Sequence, residues 1–228
     1  MQHIFKISPL RPIDELLQES VHQIPPQESG YFRTSELIDL EILDDTLMLD
    51  IRYATSNNFV GTPVYPQAKA YLQKPAAEAL LRAHNRLKKQ GFGLIIYDGY
   101  RPWNITWTFW HATPDGQKIF VADPSDGSKH NRGAAIDVGM YVLTTEDAVE
   151  FPSGFDEMTP KAFSDYEGGT RLQTLHRKIL REAMEAEDFT VHPNEWWHFD
   201  HKDWMHYPIQ NIGFEALENI AQYEANLV

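Results

Sequence analysis

Two short segments of the chain combine histidine with carboxylate side chains and are the first candidates for chemistry. The segment SKHNRGAAID places His130 seven residues before Asp137, with a glycine between them. The segment EWWHF places Glu195 three residues before His198. A mononuclear hydrolytic zinc site requires three nitrogen or oxygen ligands, an open position for water and a nearby carboxylate base. His130, Asp137 and His198 could supply the ligands, and Glu195 could supply the base.

The same residues also have plainer explanations. A histidine followed some residues later by a carboxylate is common by chance, and EWWHF could be a core strand whose aromatic rings simply pack. In an ideal strand, residues three apart point to opposite faces, so Glu195 and His198 would diverge. They can approach one metal ion only where the strand is bulged, strongly twisted or ending. Spacing alone therefore leaves both interpretations open.

Ten histidines and no cysteine limit the possible chemistry. The lack of cysteine excludes disulfides, thiolate metal sites and cysteine nucleophiles, so a metal would be held by imidazole and carboxylate groups. Packing or surface roles are expected for His84 and His176, which lie on or beside helical stripes. One of His192, His201 and His206, near the aromatic segment, could orient a metal ligand.

The overall charge restricts the partners. The chain has 228 residues, with 33 acidic and 20 basic side chains and a formal charge of −13. This charge repels polyanions, so we expect no nucleic acid and no membrane partner. No apolar run approaches the length of a membrane span, and the first residues do not resemble a signal peptide. We expect a cytoplasmic location, or a periplasmic one if a signal has been removed.

Hydrophobic periodicity predicts the elements that position these residues. Alternating apolar side chains predict a strand within 40–53, and Gly and Pro residues predict a loop or hairpin at 57–66. The Trp-rich segment 103–110 is expected in the core or in a pocket wall. Further predicted helices span 75–90, about 170–187 and 214–227, and further predicted strands span 92–98, 134–142, 189–192 and 195–201. The core-facing stripe of the second of these helices is predicted to be Leu172, Leu175, Ile179, Leu180 and Met184.

The order of these elements predicts the fold class. Strands and helices are mixed without a regular βαβ rhythm, which favours α+β over a doubly wound sheet. We therefore expect one domain over 1–228, with a mainly antiparallel central sheet flanked by helices. The Pro-rich segment 1–35 is expected to wrap the surface.

The complete set of motifs resembles one enzyme family. YDGYRP at 97–102, SKHNRGAAID at 128–137 and EWWHF at 195–199 follow one another as in the D-alanyl-D-alanine dipeptidases of the VanX type. These are zinc peptidases that share a fold with bacterial D,D-carboxypeptidases and the hedgehog signalling domain. IRYATSNNF and GFDEM extend the resemblance over about residues 51–208. Each motif alone is unspecific, whereas the combined match is highly specific.

The resemblance implies a role for each matching residue. His130, Asp137 and His198 would bind one zinc ion per chain, and Glu195 would be the general base. Arg101 would stabilise the developing oxyanion. These roles agree with the chemistry of the side chains, since a guanidinium stays charged and donates hydrogen bonds in a plane.

Two further residues are implied in substrate binding. Asp156, helped by Ser128, would meet the ammonium group of the substrate. From the sequence alone, Asp156 is more simply a loop carboxylate or helix cap. Arg101 could equally be an ion-pair partner of Asp98.

The implied function is zinc-dependent hydrolysis of the dipeptide D-Ala-D-Ala to two D-alanines. A zinc D,D-carboxypeptidase that trims peptidoglycan stem peptides and a non-catalytic zinc-binding module are the alternatives. Only 28 residues separate Arg101 from His130, fewer than in the resistance-associated enzymes, and this segment is expected to shape the pocket rim. The sequence does not determine the oligomeric state.

Overall fold

The computed structural model describes residues 5–225 and, for side chains, residues 5–219. The strands are β1 (Leu37–Asp39), β2 (Met48–Leu49), β3 (Tyr71–Gln73), β4 (Phe92–Asp98), β5 (Ala135–Val142), β6 (Phe189–His192) and β7 (Glu195–His201). The helices are α1 (Ile13–Ser20), α2 (Lys74–Lys88), α3 (Trp103–Ala112), α4 (Arg171–Glu185) and α5 (Phe214–Ala225).

A five-stranded sheet of order β2-β4-β5-β7-β6 organises the molecule. β2 pairs with β4 in parallel, and the other neighbours in this sheet pair antiparallel. β1 and β3 form a separate antiparallel pair. The predicted α+β class with a mainly antiparallel central sheet is therefore confirmed.

Strands β4 and β5 are mostly apolar and almost completely buried. β4 and β5 carry side chains that are fully removed from water, including Leu94, Ile96, Val138 and Met140. Helix α2 contacts β4 and α4, while α4 contacts β6 and β7. One hydrophobic core thus links α1 to α5 around the sheet. The predicted burial of segment 103–110 is confirmed in α3.

Helix α4 starts where the sequence predicts, but its buried face differs from the prediction. The Thr170 hydroxyl accepts a hydrogen bond from the Gln173 backbone N–H at 3.2 Å, and the Gln173 side chain accepts one from the Thr170 N–H at 2.9 Å. This capping box fixes the first turn. Leu172 and Leu175 are 58% and 50% exposed. The first turn precedes the part of the helix that packs, and the buried stripe begins at His176.

The strand predicted across 40–53 is wrong for most of its length, because only β2 forms there. The Asp44 carboxylate accepts a hydrogen bond from the Thr46 backbone N–H at 2.9 Å, so the chain turns immediately before β2. Leu47 and Ile51 are nevertheless buried. The apolar alternation therefore reflected burial of an irregular segment and not an extended strand.

The N-terminal segment contains a helix that the sequence analysis did not predict. α1 buries Ile13 and Leu16 and contacts α3. Further along, the Glu28 carboxylate accepts hydrogen bonds from Arg132 and from the Ile209 backbone N–H, each at 2.6 Å. Wrapping by the predicted segment 1–35 stays a prediction for its first four residues, which lie outside the described range.

The C-terminal helix is described as far as Ala225, and the last two residues of its predicted range lie outside the described part. Within residues 5–225, we find no helix with both the length and the apolar character that a bilayer crossing requires.

A buried histidine ties three parts of the fold together. His84 on α2 is completely buried. Its Nδ1 accepts a hydrogen bond from the Leu94 backbone N–H at 3.2 Å, and its Nε2 lies 2.8 Å from the Thr46 hydroxyl oxygen. Burial lowers the pKa of His84 to about 4, although Asp44 opposes this effect. The neutral ring therefore joins α2 to β4 and to the turn before β2.

This histidine should make the fold sensitive to acid. Since the folded-state pKa is lowered, the unfolded chain binds more protons between pH 6.5 and 4, and stability falls as the pH falls through that window. We expect the loss of unfolding free energy from pH 7 to pH 5 to be smaller in His84→Asn than in the wild type, by about 1–2 kcal/mol. Urea unfolding with a chelator present measures this. The exposed His22→Asn variant should keep the full loss, and an equal loss in His84→Asn would contradict the prediction.

Candidate active site

Three candidate ligand atoms converge in a buried cavity of about 180 Å³. His130 Nε2 lies 3.3 Å from Asp137 Oδ1, and His198 Nδ1 lies 3.1 Å from the same oxygen. The two imidazole nitrogens are 3.0 Å apart. A tetrahedral zinc site with bonds of about 2.0–2.2 Å separates its ligand atoms by roughly 3.4 Å. The distances are therefore close to those that a single metal ion requires.

Strand register brings these side chains together. On β5, Asp137 faces His198 of β7 on one side and Asp98 of β4 on the other. His130 lies in a single turn of 3-10 helix that ends at Gly133, where φ is +67°. A Cβ at Gly133 would lie only 2.5 Å from Leu37, so the glycine allows the tight entry into β5.

Hydrogen bonds on the far side of each ring fix which nitrogen faces the cavity. The N–H at Nδ1 of His130 donates to the Gly99 carbonyl at 2.7 Å, and the N–H at Nε2 of His198 donates to the Asp200 carboxylate at 2.9 Å. In the neutral form of each ring, the opposite nitrogens, His130 Nε2 and His198 Nδ1, carry lone pairs. Asp137 Oδ1 is buried without a hydrogen-bond partner among the described residues. Three acceptors thus face one point, which suits a cation.

The electrostatics of the site agree with this requirement for positive charge. Burial lowers the pKa of His198, but the carboxylates of Asp200 and Asp137 outweigh it and raise the value to about 10. The neighbouring histidines likewise hold the pKa of Asp137 well below its usual range, despite its burial. The donor set therefore favours a positive charge at its centre, and a divalent metal fits this demand.

Glu195 reaches the same cavity because β7 is irregular. Val191 of β6 faces Phe199, but the next residue, His192, faces Glu195, so the intervening residues of β7 bulge away from the register. The bulge places Glu195 Oε2 3.7 Å from His198 Nδ1. Burial raises the pKa of Glu195 to about 7, with the nearby Asp137 charge adding to the effect. A carboxylate with this pKa can accept and return a proton near neutral pH.

Arg101 forms the ion pair that the sequence allowed and also lines the cavity. Its Nε and Nη2 donate to Asp98 Oδ2 at 3.0 and 2.7 Å, so the ion pair exists. The guanidinium also lines the cavity, with Nη2 3.8 Å from Asp137 Oδ2. Its carbon lies 5.2 Å from the Tyr53 ring centre and 5.1 Å from that of Phe109. Asp98 therefore orients a cation that faces the candidate metal site.

Asp156 lies in the cavity wall with one oxygen unpaired. Its backbone adopts φ +59°, an uncommon conformation that Asp tolerates better than most residues. Oδ1 accepts a hydrogen bond from the Tyr53 hydroxyl at 3.2 Å, and Oδ2 is buried without a partner among the described residues. Burial, together with the charges of Asp137 and Glu195, raises the pKa of Asp156 well above its usual range. Such a carboxylate is suited to a cationic ligand group.

Ser128 also lines the cavity, and its hydroxyl serves the turn that carries His130. Ser128 Oγ accepts a hydrogen bond from the His130 backbone N–H at 3.2 Å. One lone pair and the hydroxyl proton remain for a ligand. The residues predicted from the sequence therefore all line one cavity, from Arg101 to His198.

The sequence analysis missed Asp200, which contacts the His198 nitrogen that faces away from the cavity. Asp200 orients His198, a role that the analysis had offered to His192, His201 or His206. His192 instead lines the cavity, with its ring centre 5.3 Å from that of His198. The only sequence signal for Asp200 was its spacing of two residues from His198, which places both on one strand face. The predicted rim segment contributes residues 119–122 to the wall.

This combination of groups is typical of a mononuclear metal-dependent hydrolase. It consists of two buried imidazoles, one carboxylate beside them, a second carboxylate that can act as a base and an oriented guanidinium. Comparison with known proteins agrees with this class. The family model described as D-ala-D-ala dipeptidase, Peptidase M15, matches residues 33–216. The chain belongs to this peptidase family, which confirms the resemblance stated from the sequence motifs.

Individual relatives support the same assignment. The D-alanyl-D-alanine dipeptidase of Escherichia coli strain K12 is 33% identical over 180 residues, which cover 77% of this chain and 90% of the relative. The enzyme of the same name from Streptomyces coelicolor is 32% identical over 191 residues, which cover 76% of this chain and 95% of the relative. The D-alanyl-D-alanine dipeptidase of Enterococcus faecium is 33% identical over 172 residues, which cover 68% of this chain and 85% of the relative.

Among solved structures, that of the LdcB LD-carboxypeptidase aligns with 19% identity and a TM-score of 0.37. The alignment covers 68% of this chain and 65% of that structure, which is less than two thirds of its length.

The donor set should bind a divalent metal, and Asp137 should be essential for this. With zinc at about 1,000 times its dissociation constant, a ligand that binds only the folded chain adds about 4 kcal/mol to the unfolding free energy. We expect this gain in the wild type and its loss in Asp137→Asn, because the anionic ligand is removed. Thermal unfolding with zinc and with a chelator measures it. Asp147→Asn, at an exposed position, is the control, and a full zinc gain in Asp137→Asn would exclude this site.

Proposed function

We propose that this protein hydrolyses the dipeptide D-Ala-D-Ala to two D-alanines. The observation that carries the proposal is the cavity itself, which combines a metal donor set, a base, a guanidinium and an unpaired carboxylate. At about 180 Å³ it is smaller than the range of about 300–1,000 Å³ typical of drug-sized ligands. The names of the relatives support D-Ala-D-Ala as the substrate.

We propose zinc as the metal, held by His130, Asp137 and His198 as one ion per chain. Imidazole and carboxylate ligands at these separations suit zinc. When bound, the ion supplies a Lewis acid that polarises the substrate carbonyl and lowers the pKa of water to about 7. The unpaired Asp137 Oδ1 is the structural feature that supports this assignment.

Glu195 is proposed as the general base and then the general acid. Its carboxylate takes a proton from the attacking water and later delivers that proton to the departing amine nitrogen. Burial in the cavity wall raises its pKa to about 7, so both protonation states are accessible near neutral pH. Glu195 Oε2 lies 3.7 Å from His198 Nδ1, so Glu195 is close to the three proposed ligands but is not one of them.

Arg101 is proposed to stabilise the negative charge that develops on the carbonyl oxygen. Asp98 holds the guanidinium by two hydrogen bonds, and Tyr53 and Phe109 flank it. A donor that is already oriented needs no rearrangement when charge develops, which is the basis of electrostatic catalysis. Asp98 is itself held by the Tyr65 hydroxyl at 2.8 Å.

Asp156, with Ser128 nearby, is proposed to bind the substrate's ammonium group. The free Oδ2 would gain its missing partner from a substrate N–H, and the buried negative charge would be neutralised. An acylated substrate nitrogen carries no positive charge, so it would not stabilise the ionised form of Asp156, which burial already disfavours. We propose a small dipeptide as the substrate. We also propose a cytoplasmic location, which does not follow from this site.

The substrate panel tests the function directly. We expect alanine release from D-Ala-D-Ala with zinc, and little release from L-Ala-L-Ala or from N-acetyl-D-Ala-D-Ala. Chelation should abolish the release, and added zinc should restore it. An amino-acid assay on purified protein measures all three substrates. Efficient cleavage of the acetylated peptide would instead indicate a D,D-carboxypeptidase, and zinc binding without any cleavage would indicate a binding module.

Two isosteric variants separate substrate recognition from chemistry. Asp156→Asn removes the charge but keeps an acceptor for Tyr53 and tolerates φ +59°, so we expect kcat/KM for D-Ala-D-Ala to fall about 30-fold or more, corresponding to about 2 kcal/mol. Glu195→Gln should lower kcat by about 10²- to 10⁴-fold. Both should keep their zinc affinity.

Steady-state kinetics and a zinc titration of each variant provide the measurement. The exposed Asp165→Asn and Glu150→Gln variants are the matched controls and should retain wild-type kinetics. If Asp156→Asn lost zinc and activity in equal measure, the role in amine recognition would be wrong. If Glu195→Gln kept wild-type turnover, another group would have to be the base.

A further inference from the structure

We propose that Lys129 and Asp200 form a brace that positions His198 for the metal, so that the turn carrying one histidine ligand also holds the other. Lys129 and Asp200 are positioning residues, since both act through His198. This inference rests on the metal site proposed above.

The first contact of the brace sets the direction of the His198 ring. The carboxylate Oδ1 of Asp200 accepts the hydrogen bond from the N–H at Nε2 of His198 at 2.9 Å. This bond directs the opposite nitrogen, Nδ1, toward Asp137 Oδ1 at 3.1 Å. A carboxylate that accepts from a ligand histidine fixes its tautomer and raises its basicity toward the metal.

The backbone of Asp200 is fixed from both sides. It lies two residues after His198 on β7, so both side chains project from the same strand face. In the sheet, Asp200 faces Ala135 of β5 and Thr190 of β6. Strand pairing therefore leaves only the side-chain rotamer of Asp200 free to vary. This rotamer depends on the contact made by its second carboxylate oxygen, Oδ2.

Lys129 determines that rotamer. Its Nζ lies 2.9 Å from Asp200 Oδ2, while Oδ1 bonds His198. The ammonium group also lies 5.2 Å from the centre of the Trp204 ring, which limits its freedom. Lys129 directly precedes His130, and its carbonyl accepts a hydrogen bond from the Ala134 N–H at 3.2 Å within the same turn.

Lys129 also contributes a positive charge to a region that is rich in carboxylates. The cavity wall already contains the carboxylates of Asp137, Asp156 and Glu195, and Asp200 adds a fourth close by. The side chain of Asp200 is only 13% exposed, so its charge is poorly screened by water. Lys129 places a positive charge at Asp200 Oδ2, beside the oxygen Oδ1 that accepts from His198.

The simpler alternative is an ion pair that only stabilises the fold. The exposed pair of Lys202 and Asp188, with Nζ and Oδ2 2.7 Å apart, offers a matched comparison because it lies at the end of the same strand and touches no ligand histidine. A stabilising pair changes the unfolding of the metal-free protein. A brace changes the affinity for zinc.

The experiment measures zinc affinity by competition with a chromophoric chelator, and the thermal midpoint of the metal-free protein. We expect Asp200→Ala to lower zinc affinity about 10- to 100-fold. Lys129→Met should lower it by a smaller factor, and Lys129→Arg should restore most of the loss. Lys202→Met should bind zinc within a factor of two of wild type. Where Asp200→Ala lowers the metal-free midpoint, Asp200→Leu, which is branched at the same atom but offers no acceptor to His198, takes its place and should lower zinc affinity by a similar factor.

The double variant provides the decisive comparison. Since Lys129 acts only through Asp200, Lys129→Met should cause no further loss of zinc affinity when Asp200→Ala is already present. Unchanged affinity in either single variant, or an equal Lys129→Met effect in both backgrounds, would overturn the brace. Zinc binding without D-Ala-D-Ala hydrolysis by the wild type would overturn the proposed activity alone. No zinc binding by the wild type would overturn both.

Discussion

The structure depends on one electrostatic constraint, which is that His130, Asp137 and His198 direct three acceptor atoms at a single buried point. Such an arrangement is unfavourable without a positive charge, because Asp137 Oδ1 is buried and has no hydrogen-bond partner among the described residues. The surrounding groups maintain the arrangement instead of relieving it. The Gly99 carbonyl and Asp200 occupy the outer nitrogens of the two rings, so the inner nitrogens remain free to bind a metal.

Two departures from regular strand pairing make this geometry possible. Between Ile96 and Asp98 the register of β4 against β5 shifts, so Asp98 lies opposite Asp137 and next to the turn that carries Arg101. Between Val191 and His192 the register of β6 against β7 shifts, which brings Glu195 to the ligand side of the sheet. With regular pairing, Asp98 would point to the face opposite Asp137. Glu195 would likewise point to the face opposite His198. The local irregularities therefore create the site, while the regular strands hold it rigidly.

The sequence was informative where one face of an element is buried or where side-chain chemistry is distinctive. The β4, β5 and β7 strands and the starts of α2 and α4 followed from apolar periodicity, Pro75 and Thr170, because these signals are local. The β2 region and the exposed Leu172 and Leu175 were wrong, since tertiary packing and not periodicity decides which apolar residues are covered. The candidate ligand and base residues came from a combined motif. Asp200 could not be singled out, because its role depends on a rotamer set by Lys129.

The distribution of charge in the cavity also fits the proposed selection of a free amino terminus. Asp98 is matched by Arg101 and Asp200 by Lys129, while Asp137 faces the candidate metal position. Asp156 has no cationic partner at hydrogen-bond distance among the described residues, and its Oδ1 accepts a hydrogen bond from the neutral Tyr53 hydroxyl. A buried carboxylate left in this state stabilises a cationic ligand more than a neutral one. In the proposed function, the substrate's ammonium group therefore completes the charge balance, whereas a peptide extended at its amino end would place an uncharged amide nitrogen at Asp156.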